Sequence, residues 1–119
     1  MNNYKELKVW QKSVDLAVKI YEATKDFPRE EIYGLTSQIR RSAVSIPSNI
    51  AEGAGRNTKK DFNNFLGISN GSSCELDTQL IIANRVSFLD STIFEMLQQD
   101  LTEIQKMNWA LHKSLTAQH

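Results

Sequence analysis

An apolar pattern that continues through a proline constrains the fold of this chain more than any other feature. Its residues are spaced by four, three and four positions, which places them on one helix face: Ile39, Ala43, Ile46 and Ile50. Pro47 lies inside the run, has no backbone N–H and clashes with the carbonyl of Ala43. A helix interior loses about 3 kcal/mol to a proline. Because the pattern resumes in phase, the sequence predicts one long helix, kinked at Pro47, with Ser45 and Ser48 bonding the freed backbone groups.

Three further helices are predicted from similar spacing. The first runs from Leu7 to about Lys25, the Pro47 helix begins near Arg29 or Glu30, the third runs from about Lys59 to Val86, and the fourth extends to about Leu115. The predicted core faces are, in chain order, Trp10, Val14, Ala17 and Tyr21 with Val9, Leu16 and Ile20; Ile32, Leu35, Ile39, Ala43, Ile46 and Ile50; Phe62, Phe65, Leu66, Ser69, Ser73, Leu76, Leu80 and Ala83; and Ile93, Leu97, Leu101, Ile104, Met107, Leu111 and Leu115. With short connections and no strand pattern, this predicts a single all-α domain over residues 1–119, an antiparallel up-and-down four-helix bundle.

Apolar and small residues outside these faces predict a homo-oligomer. Two glycines on the back of the third helix lower helix stability and favour close approach of another backbone. The predicted interface residues are Gly67, Gly71, Ile81, Ile82, Phe94 and Trp109. A lone bundle would expose all of them as an unusually large apolar surface.

The second helix is predicted to end at Gly53, Ala54 and Gly55.

The central segment resembles the signature of the four-helix-bundle proteins encoded in intervening sequences of bacterial 23S ribosomal RNA genes. The resemblance lies in Arg40-Arg41-Ser-Ala-Val-Ser-Ile-Pro47-Ser-Asn49-Ile-Ala-Glu52-Gly53 followed by Arg56, and extends to Val9-Trp10, Tyr33-Gly34-Leu35, Phe65-Leu66 and Glu75-Leu76. It implies a bundle that assembles into a ring, pentameric in family members, with Pro47, Asn49, Glu52 and Gly53 as structural motif positions. The chain is also similar to the accessory protein of diversity-generating retroelements, which works with a reverse transcriptase and nucleic acid.

The sequence lacks the residue patterns of common catalytic sites. A di-iron bundle needs two Glu-x-x-His pairs, but the only histidines are His112 and His119, and Trp109 lies three residues before His112. No phosphate-binding glycine loop or nucleophile–base set is present, and the single Cys74 excludes an intramolecular disulfide. No apolar run approaches the roughly 20 residues that span a bilayer. We therefore expect a non-enzymatic, cytoplasmic protein without a metal, cofactor, membrane span or small-molecule substrate.

The neutral net charge conceals an asymmetry along the chain. Residues 1–60 contain 11 Lys/Arg and 7 Asp/Glu, whereas residues 61–119 contain 3 and 7. The candidate nucleic-acid contacts are Arg40, Arg41, Arg56, Lys59 and Lys60. Three interpretations stay open: a solvated face, contact with the phosphates of RNA or a ribonucleoprotein, and pairing with the acidic half of a neighbouring copy.

Two neighbouring features bear on these interpretations. Glu52 either pairs with Arg56 four residues later or holds an arginine across an interface. No aromatic residue interleaves with the basic group, as single-strand stacking platforms require. Asn70 stands where family sequences often carry a basic residue, which lowers the local charge. The functional hypotheses are therefore an RNA-associated oligomer and an oligomeric scaffold without a nucleic-acid role.

Overall fold

Four helices form most of the computed structural model, which describes residues 3–117. Helix α1 spans Lys8–Ala23, α2 Leu35–Ala54, α3 Lys59–Arg85 and α4 Ser91–Thr116, and short 3₁₀ segments at Tyr4–Glu6 and Arg29–Glu31 precede α1 and α2. Side chains cap α3 and α4: Thr58 Oγ1 accepts the N–H of Asp61, and Asp90 Oδ1 accepts that of Ile93. The predicted all-α four-helix bundle is confirmed.

Each helix packs against the next in the chain, and α1 also packs against α4, which closes the bundle. Between α2 and α3, Gly53 lies against Phe62, whereas the hydroxyls of Ser45 and Ser72 are 2.7 Å apart. Later residues of α2 thus meet earlier residues of α3. This is the order of contacts expected of antiparallel neighbours.

The core contains apolar side chains from all four helices together with buried serines. Its completely buried large side chains are Leu16, Ile20, Ile39, Ile46, Ile50, Leu66, Leu76, Leu80, Leu97, Leu101 and Ile104. The Ser69 hydroxyl donates to the Ile46 carbonyl across the α2–α3 contact at 3.0 Å. The Ser13 hydroxyl donates to the Val9 carbonyl within α1. These bonds satisfy hydroxyls that would otherwise be costly to bury.

The predicted faces of α3 and most of α4 are correct, but the face of α1 is rotated. Tyr21 is exposed and Trp10 and Val14 are only half-buried, because α1 turns Val9 and Ser13, with Leu16, Ala17 and Ile20, toward the core. On α4, Ile93 is exposed, whereas Phe94, which was predicted to lie outside, packs against the core. Amphipathic spacing underweighted the buried Ser13 because a serine adds nothing to an apolar pattern.

The start predicted for α2 is wrong by about five residues. Residues Arg29–Glu31 form a 3₁₀ turn, and the helix begins at Leu35 after Gly34, whose backbone is not helical. Ile32 lies in the connecting turn and is exposed rather than part of the core. The acidic residues that suggested a helix start therefore belong to the connection between α1 and α2.

Helix α2 continues through Pro47, as predicted, whereas the kink itself stays a prediction. The Asn49 amide donates to the Ser45 carbonyl at 2.8 Å and to its hydroxyl at 2.9 Å. The Ser45 hydroxyl thus engages Asn49 and Ser72 rather than a backbone group freed by the proline, and Ser48 is exposed. The side chains that bond the backbone within two residues of Pro47 include Asn49 of α2 and Ser69 of α3.

Gly53 is a packing residue within α2 and not the residue that ends the helix. The helix continues to Ala54, with Gly55 as its C-cap. A Cβ on Gly53 would lie 2.7 Å from Phe65 Cβ and 3.0 Å from Phe62 Cδ1. No heavy atom lies within 4 Å of a Cβ placed on Gly67 or Gly71, after exclusion of chain neighbours and nearby helix backbone. Close approach of a neighbouring helix within the chain thus occurs at Gly53, whereas the approach of another copy at Gly67 and Gly71 stays a prediction.

Candidate functional site

The five candidate basic residues fall into two groups at opposite ends of α2. Thirteen residues separate Arg41 from Ala54, the last residue of the helix, which is about 20 Å at a rise of 1.5 Å per residue. Arg40 is engaged within the chain: its Nε donates to Thr24 Oγ1 at 2.9 Å, and its guanidinium carbon lies 4.7 Å from the Tyr21 ring centroid. Arg41 is exposed. The structure does not bring Arg40 and Arg41 together with the other three.

Arg56 forms a local ion pair with Glu52. Its Nη2 lies 3.1 Å from Glu52 Oε2, both side chains are exposed, and the guanidinium carbon lies 4.7 Å from the Phe65 ring centroid. An exposed pair of this kind contributes about 0–1 kcal/mol. Of the two interpretations of Glu52, the structure shows the pair with Arg56 four residues later.

Contacts between the helices gather a different set of basic residues. Gly53 of α2 lies against Phe62 of α3, His112 Nδ1 of α4 is 3.1 Å from Asn63 Oδ1, and Lys12 of α1 reaches Glu103 of α4 at 2.9 Å. The beginnings of α1 and α3 and the ends of α2 and α4 therefore meet at one end of the bundle. We call this the basic end, comprising residues 4–11, 50–67 and 104–117. It carries seven Lys/Arg and three Asp/Glu, a balance of +4: Lys5, Lys8, Arg56, Lys59, Lys60, Lys106 and Lys113 against Glu6, Glu52 and Asp61.

The acidic residues of α4 lie nearer its start and are partly engaged by α1. Lys12 Nζ is 2.9 Å from Glu103 Oε2 and 3.7 Å from Asp100 Oδ1, and Lys19 Nζ is 2.8 Å from Asp100 Oδ2. The hydrogen bond to Glu103 raises the pKa of Lys12, as do the neighbouring carboxylate charges, against an opposing effect of burial. From Ile104 to its end the chain contains no Asp or Glu. Two carboxylates of the acidic half, Asp100 and Glu103, are thus paired with lysines of the same chain. The acidic half had been considered as a partner for the basic residues of a neighbouring copy.

A cleft of about 220 Å³ lies between α3 and α4 at the basic end. It is lined by Leu66, Gly67, Asn70, Asn108, Trp109 and His112. The Trp109 side chain is 62% exposed, and its ring stacks on that of His112 with centroids 5.3 Å apart and planes at 26°. His112 is half-buried and its Nδ1 meets Asn63 Oδ1. His112 thus places its ring beside Trp109, a contact that the sequence did not indicate.

Basic residues flank Trp109 along α4. Lys106 precedes it by three residues and Lys113 follows it by four, so that all three lie on one helix face. Both lysines are exposed. The sequence analysis considered aromatic residues only in relation to the basic residues of α2 and the loop after it, and did not consider these two lysines. The missed signal was the Lys-x-x-Trp-x-x-x-Lys spacing in the half that carries net negative charge.

An apolar groove of about 370 Å³ lies between α1 and α2 on another side of the bundle. Its lining comprises Val14, Ala17, Val18, Tyr21, Glu22, Val44 and Pro47, and Val18 is 58% exposed. Of the predicted interface residues, Ile82, Gly67, Gly71 and Trp109 are exposed, Ile81 is half-buried, and Phe94 packs against the core. Sequence reasoning missed the groove because it assigned Val14 and Tyr21 to the core.

The model of a family described as 23S rRNA-intervening sequence protein matches residues 5–110. The chain belongs to this family. It is also similar to the crystal structure of a protein with unknown function from the S23 ribosomal protein family of Bacteroides thetaiotaomicron. The two are 30% identical with a TM-score of 0.82, and the match covers 88% of this chain and 95% of that one. A comparison with curated proteins finds no match.

Within residues 3–117 no group of three or more His, Cys, Asp or Glu side chains is placed to hold a metal ion. In the same part of the chain, no helix combines the length and the apolar character needed to cross a membrane. The chemical features that stand out are thus the basic end, the cleft beside Trp109 and the α1–α2 groove.

Proposed function

We propose that this protein is a non-enzymatic, self-assembling bundle that contacts RNA phosphates through its basic end. The observation that carries the proposal is the balance of +4 at one end of a chain whose net charge is zero. A local excess of Lys and Arg attracts a polyanion even when the whole protein is neutral. The family description names 23S rRNA intervening sequences, and RNA is therefore the polyanion chosen for the test.

Several of these cations lie at the protein surface. Arg56 pairs with Glu52, whereas Lys60, Lys106 and Lys113 are exposed. A single subunit offers only a handful of phosphate contacts and should bind weakly. Several copies in one assembly would present several basic ends to one RNA, and effective concentration would raise the overall affinity.

Self-association is supported by the α1–α2 groove and its surroundings. We expect a second copy to cover the exposed Val18, Tyr21 and Val44, giving a ring that the family resemblance implies is pentameric. A stable interface buries about 1,200–2,000 Å² in total, more than the groove alone provides. The exposed Ile32 and the 95% exposed Tyr33 lie in the turn beside α2 and would extend the apolar contact.

RNA contact is tested with two variants that remove equal charge from opposite ends. Lys60→Ala/Lys106→Ala/Lys113→Ala removes three exposed cations from the basic end, and Arg29→Ala/Arg41→Ala/Arg85→Ala removes three exposed cations elsewhere. The probe is a single-stranded 20-nucleotide RNA titrated between about 50 and 200 mM salt, where counterion release gives a strong salt dependence.

The basic-end variant should bind at least about tenfold more weakly, and its log–log salt slope should become shallower by about two, since each single-strand contact contributes about 0.7. The other variant should bind like the parent. Equal losses in both would refute the assignment to the basic end. Absence of binding by the parent at about 50 mM salt, where binding is most favoured, would refute RNA contact itself.

The second candidate function is a scaffold without a nucleic-acid role; it shares self-association with the first, and the α1–α2 groove is where self-association is tested. Val18→Glu should reduce the mass of the assembly in solution, because a charge would be buried in the interface. Met96→Glu is the matched control, since Met96 is similarly exposed but lies on α4. Light scattering should show an intact assembly for the control. A monomeric parent at micromolar concentration would contradict self-association.

A further inference from the structure

Trp109 is an exposed aromatic side chain that other side chains hold in a fixed arrangement. Its ring is 62% exposed and rests on His112, whose Nδ1 is 3.1 Å from Asn63 Oδ1 on α3. The two rings are inclined by 26°, so they form one stacked pair at the edge of the cleft. A platform that is already ordered loses little entropy when another ring stacks on it.

The cleft beside this platform is small and mostly apolar. Its volume of about 220 Å³ is below the roughly 300–1,000 Å³ of sites for drug-sized ligands, so it suits one planar ring system. Gly67 contributes no side chain to its wall, and a Cβ there would have no heavy atom within 4 Å, chain neighbours and nearby helix backbone excepted. The cleft thus has room beside Trp109 that any larger residue at position 67 would fill.

Asn108 provides a hydrogen-bonding group in the cleft wall. Its side chain is 4% exposed, Nδ2 donates to the Leu66 carbonyl at 3.4 Å, and Oδ1 is buried without a hydrogen-bond partner. A buried acceptor without a partner is unfavourable. After a small rotation of the amide, an N–H donor in the cleft would provide the missing bond. Asn70, which is exposed at the same cleft, offers a second amide.

The lysines around the cleft indicate which chemical group is attached to a planar ring that binds there. Lys106 and Lys113 flank Trp109 on α4, and Lys60 lies seven residues before Gly67 on nearly the same face of α3. Seven residues correspond to about 10 Å along a helix. A free aromatic molecule or a peptide side chain would leave these cations unused. A planar heterocycle with N–H donors and neighbouring phosphates is a nucleotide within a single strand.

We propose that the cleft between α3 and α4 binds one unpaired RNA base, which stacks on Trp109 while the surrounding lysines contact the adjoining phosphates. The inference rests on the RNA contact proposed for the basic end and adds a base-binding subsite to it. Because the amides of Asn70 and Asn108 both donate and accept, we expect binding of an unpaired base without strict choice among bases.

Binding is measured with two RNA probes of equal charge, a ten-nucleotide oligoadenylate and an abasic ten-nucleotide strand. The oligoadenylate should bind at least about tenfold more tightly, which lies within the range that one base–aromatic stack contributes. Trp109→Ala and Gly67→Leu should both reduce its affinity to that of the abasic strand. Gly71→Leu is the matched control, since it adds the same side chain to α3 outside the cleft and should leave the difference intact.

A second measurement examines the cleft without phosphates. Uncharged adenosine at millimolar concentration should shift the indole N–H resonance of Trp109, leave that of Trp10 in place, and lose this effect in Gly67→Leu. Light scattering on each variant checks that the assembly is intact. If Trp109→Ala dissociates it, Trp109 belongs to an interface and the base-binding proposal is overturned.

The outcomes separate this proposal from RNA contact in general. If both probes bind equally and adenosine leaves the Trp109 resonance unchanged, RNA contact stands and the base-binding subsite is refuted. If an aromatic peptide competes with oligoadenylate as well as adenosine does, the cleft is a peptide site and the proposal is refuted. If neither strand binds and adenosine has no effect, both proposals fail.

Discussion

The contact at Gly53 gives the most direct test of how α2 and α3 pack. In Gly53→Ala the new methyl group would lie 2.7 Å from Phe65 Cβ, 3.0 Å from Phe62 Cδ1 and 3.2 Å from the Phe62 carbonyl oxygen. The nearest of these atoms is attached directly to the α3 backbone and cannot move away by rotation of a side chain. The helices must therefore separate locally.

Two opposing effects determine how much Gly53→Ala changes the free energy of unfolding. Overpacking of a well-filled contact costs about 1–3 kcal/mol. Replacing glycine by alanine inside a helix contributes up to about 1 kcal/mol in the other direction, and less near the end of α2, where Gly53 lies. We expect Gly53→Ala to lower the free energy of unfolding by about 1–2 kcal/mol, which for a domain of this size lowers Tm by roughly 4–8 °C.

The assay is thermal unfolding followed by circular dichroism at one fixed protein concentration, because self-association would make Tm depend on concentration. Gly71→Ala is the control, since a Cβ there has no atom to clash with. It should raise Tm by roughly 2–4 °C through helix propensity alone. A Tm for Gly53→Ala at or above that of the parent would refute the close approach of α2 and α3.

Three further changes test other parts of the structure. Pro47→Ala should leave far-ultraviolet circular dichroism almost unchanged, because α2 already continues through this position, but should alter the mass of the assembly if a kink shapes the interface; a large change in helix content would contradict this. The pKa of Lys12 is raised in the folded state, so the stability that Lys12 contributes is present below its ordinary pKa of 10.5 and is lost as pH rises through the raised pKa. Glu103→Gln should reduce this loss of stability at alkaline pH, which is measured by urea unfolding at several pH values around 10.5. Equal pH dependence in parent and variant would count against the role of Glu103. Ile104→Ala, at a completely buried position, should cost about 2–5 kcal/mol in urea unfolding, whereas a loss below about 1 kcal/mol, typical of exposed sites, would argue against its place in the core.

The contents of the basic end follow from tertiary structure and not from any stretch of sequence. Lys8, Lys60 and Lys113 lie more than fifty residues apart in the chain, and they share one end because contacts between the helices bring the beginnings of α1 and α3 beside the end of α4. Counting charges by halves of the sequence instead suggested a basic half and an acidic half. The length of α2 separates Arg41 from Arg56, which the sequence analysis had placed in one basic group.

Long periodic segments allowed the sequence by itself to determine much of the fold. The bounds of α3 and nearly all of its core face follow from apolar spacing, and continuation of α2 through Pro47 follows from the phase of Ile46 and Ile50, because a 3.6-residue period repeated over many turns has little ambiguity. The family resemblance rests on the same local motif. By contrast, the apolar pattern was weak in the short turn before α2, and in α1 it did not define which face is buried.

Only the tertiary structure decided which residues face one another across helices. The role of Gly53 depends on the position of Phe65, and the cleft depends on Trp109 of α4 lying beside Gly67 of α3. Spacing along one helix fixes which residues share a face, but it contains no information on the neighbouring helix or on its axial position. Side-chain packing sets both, and for that reason the site at the basic end emerged only from the folded chain.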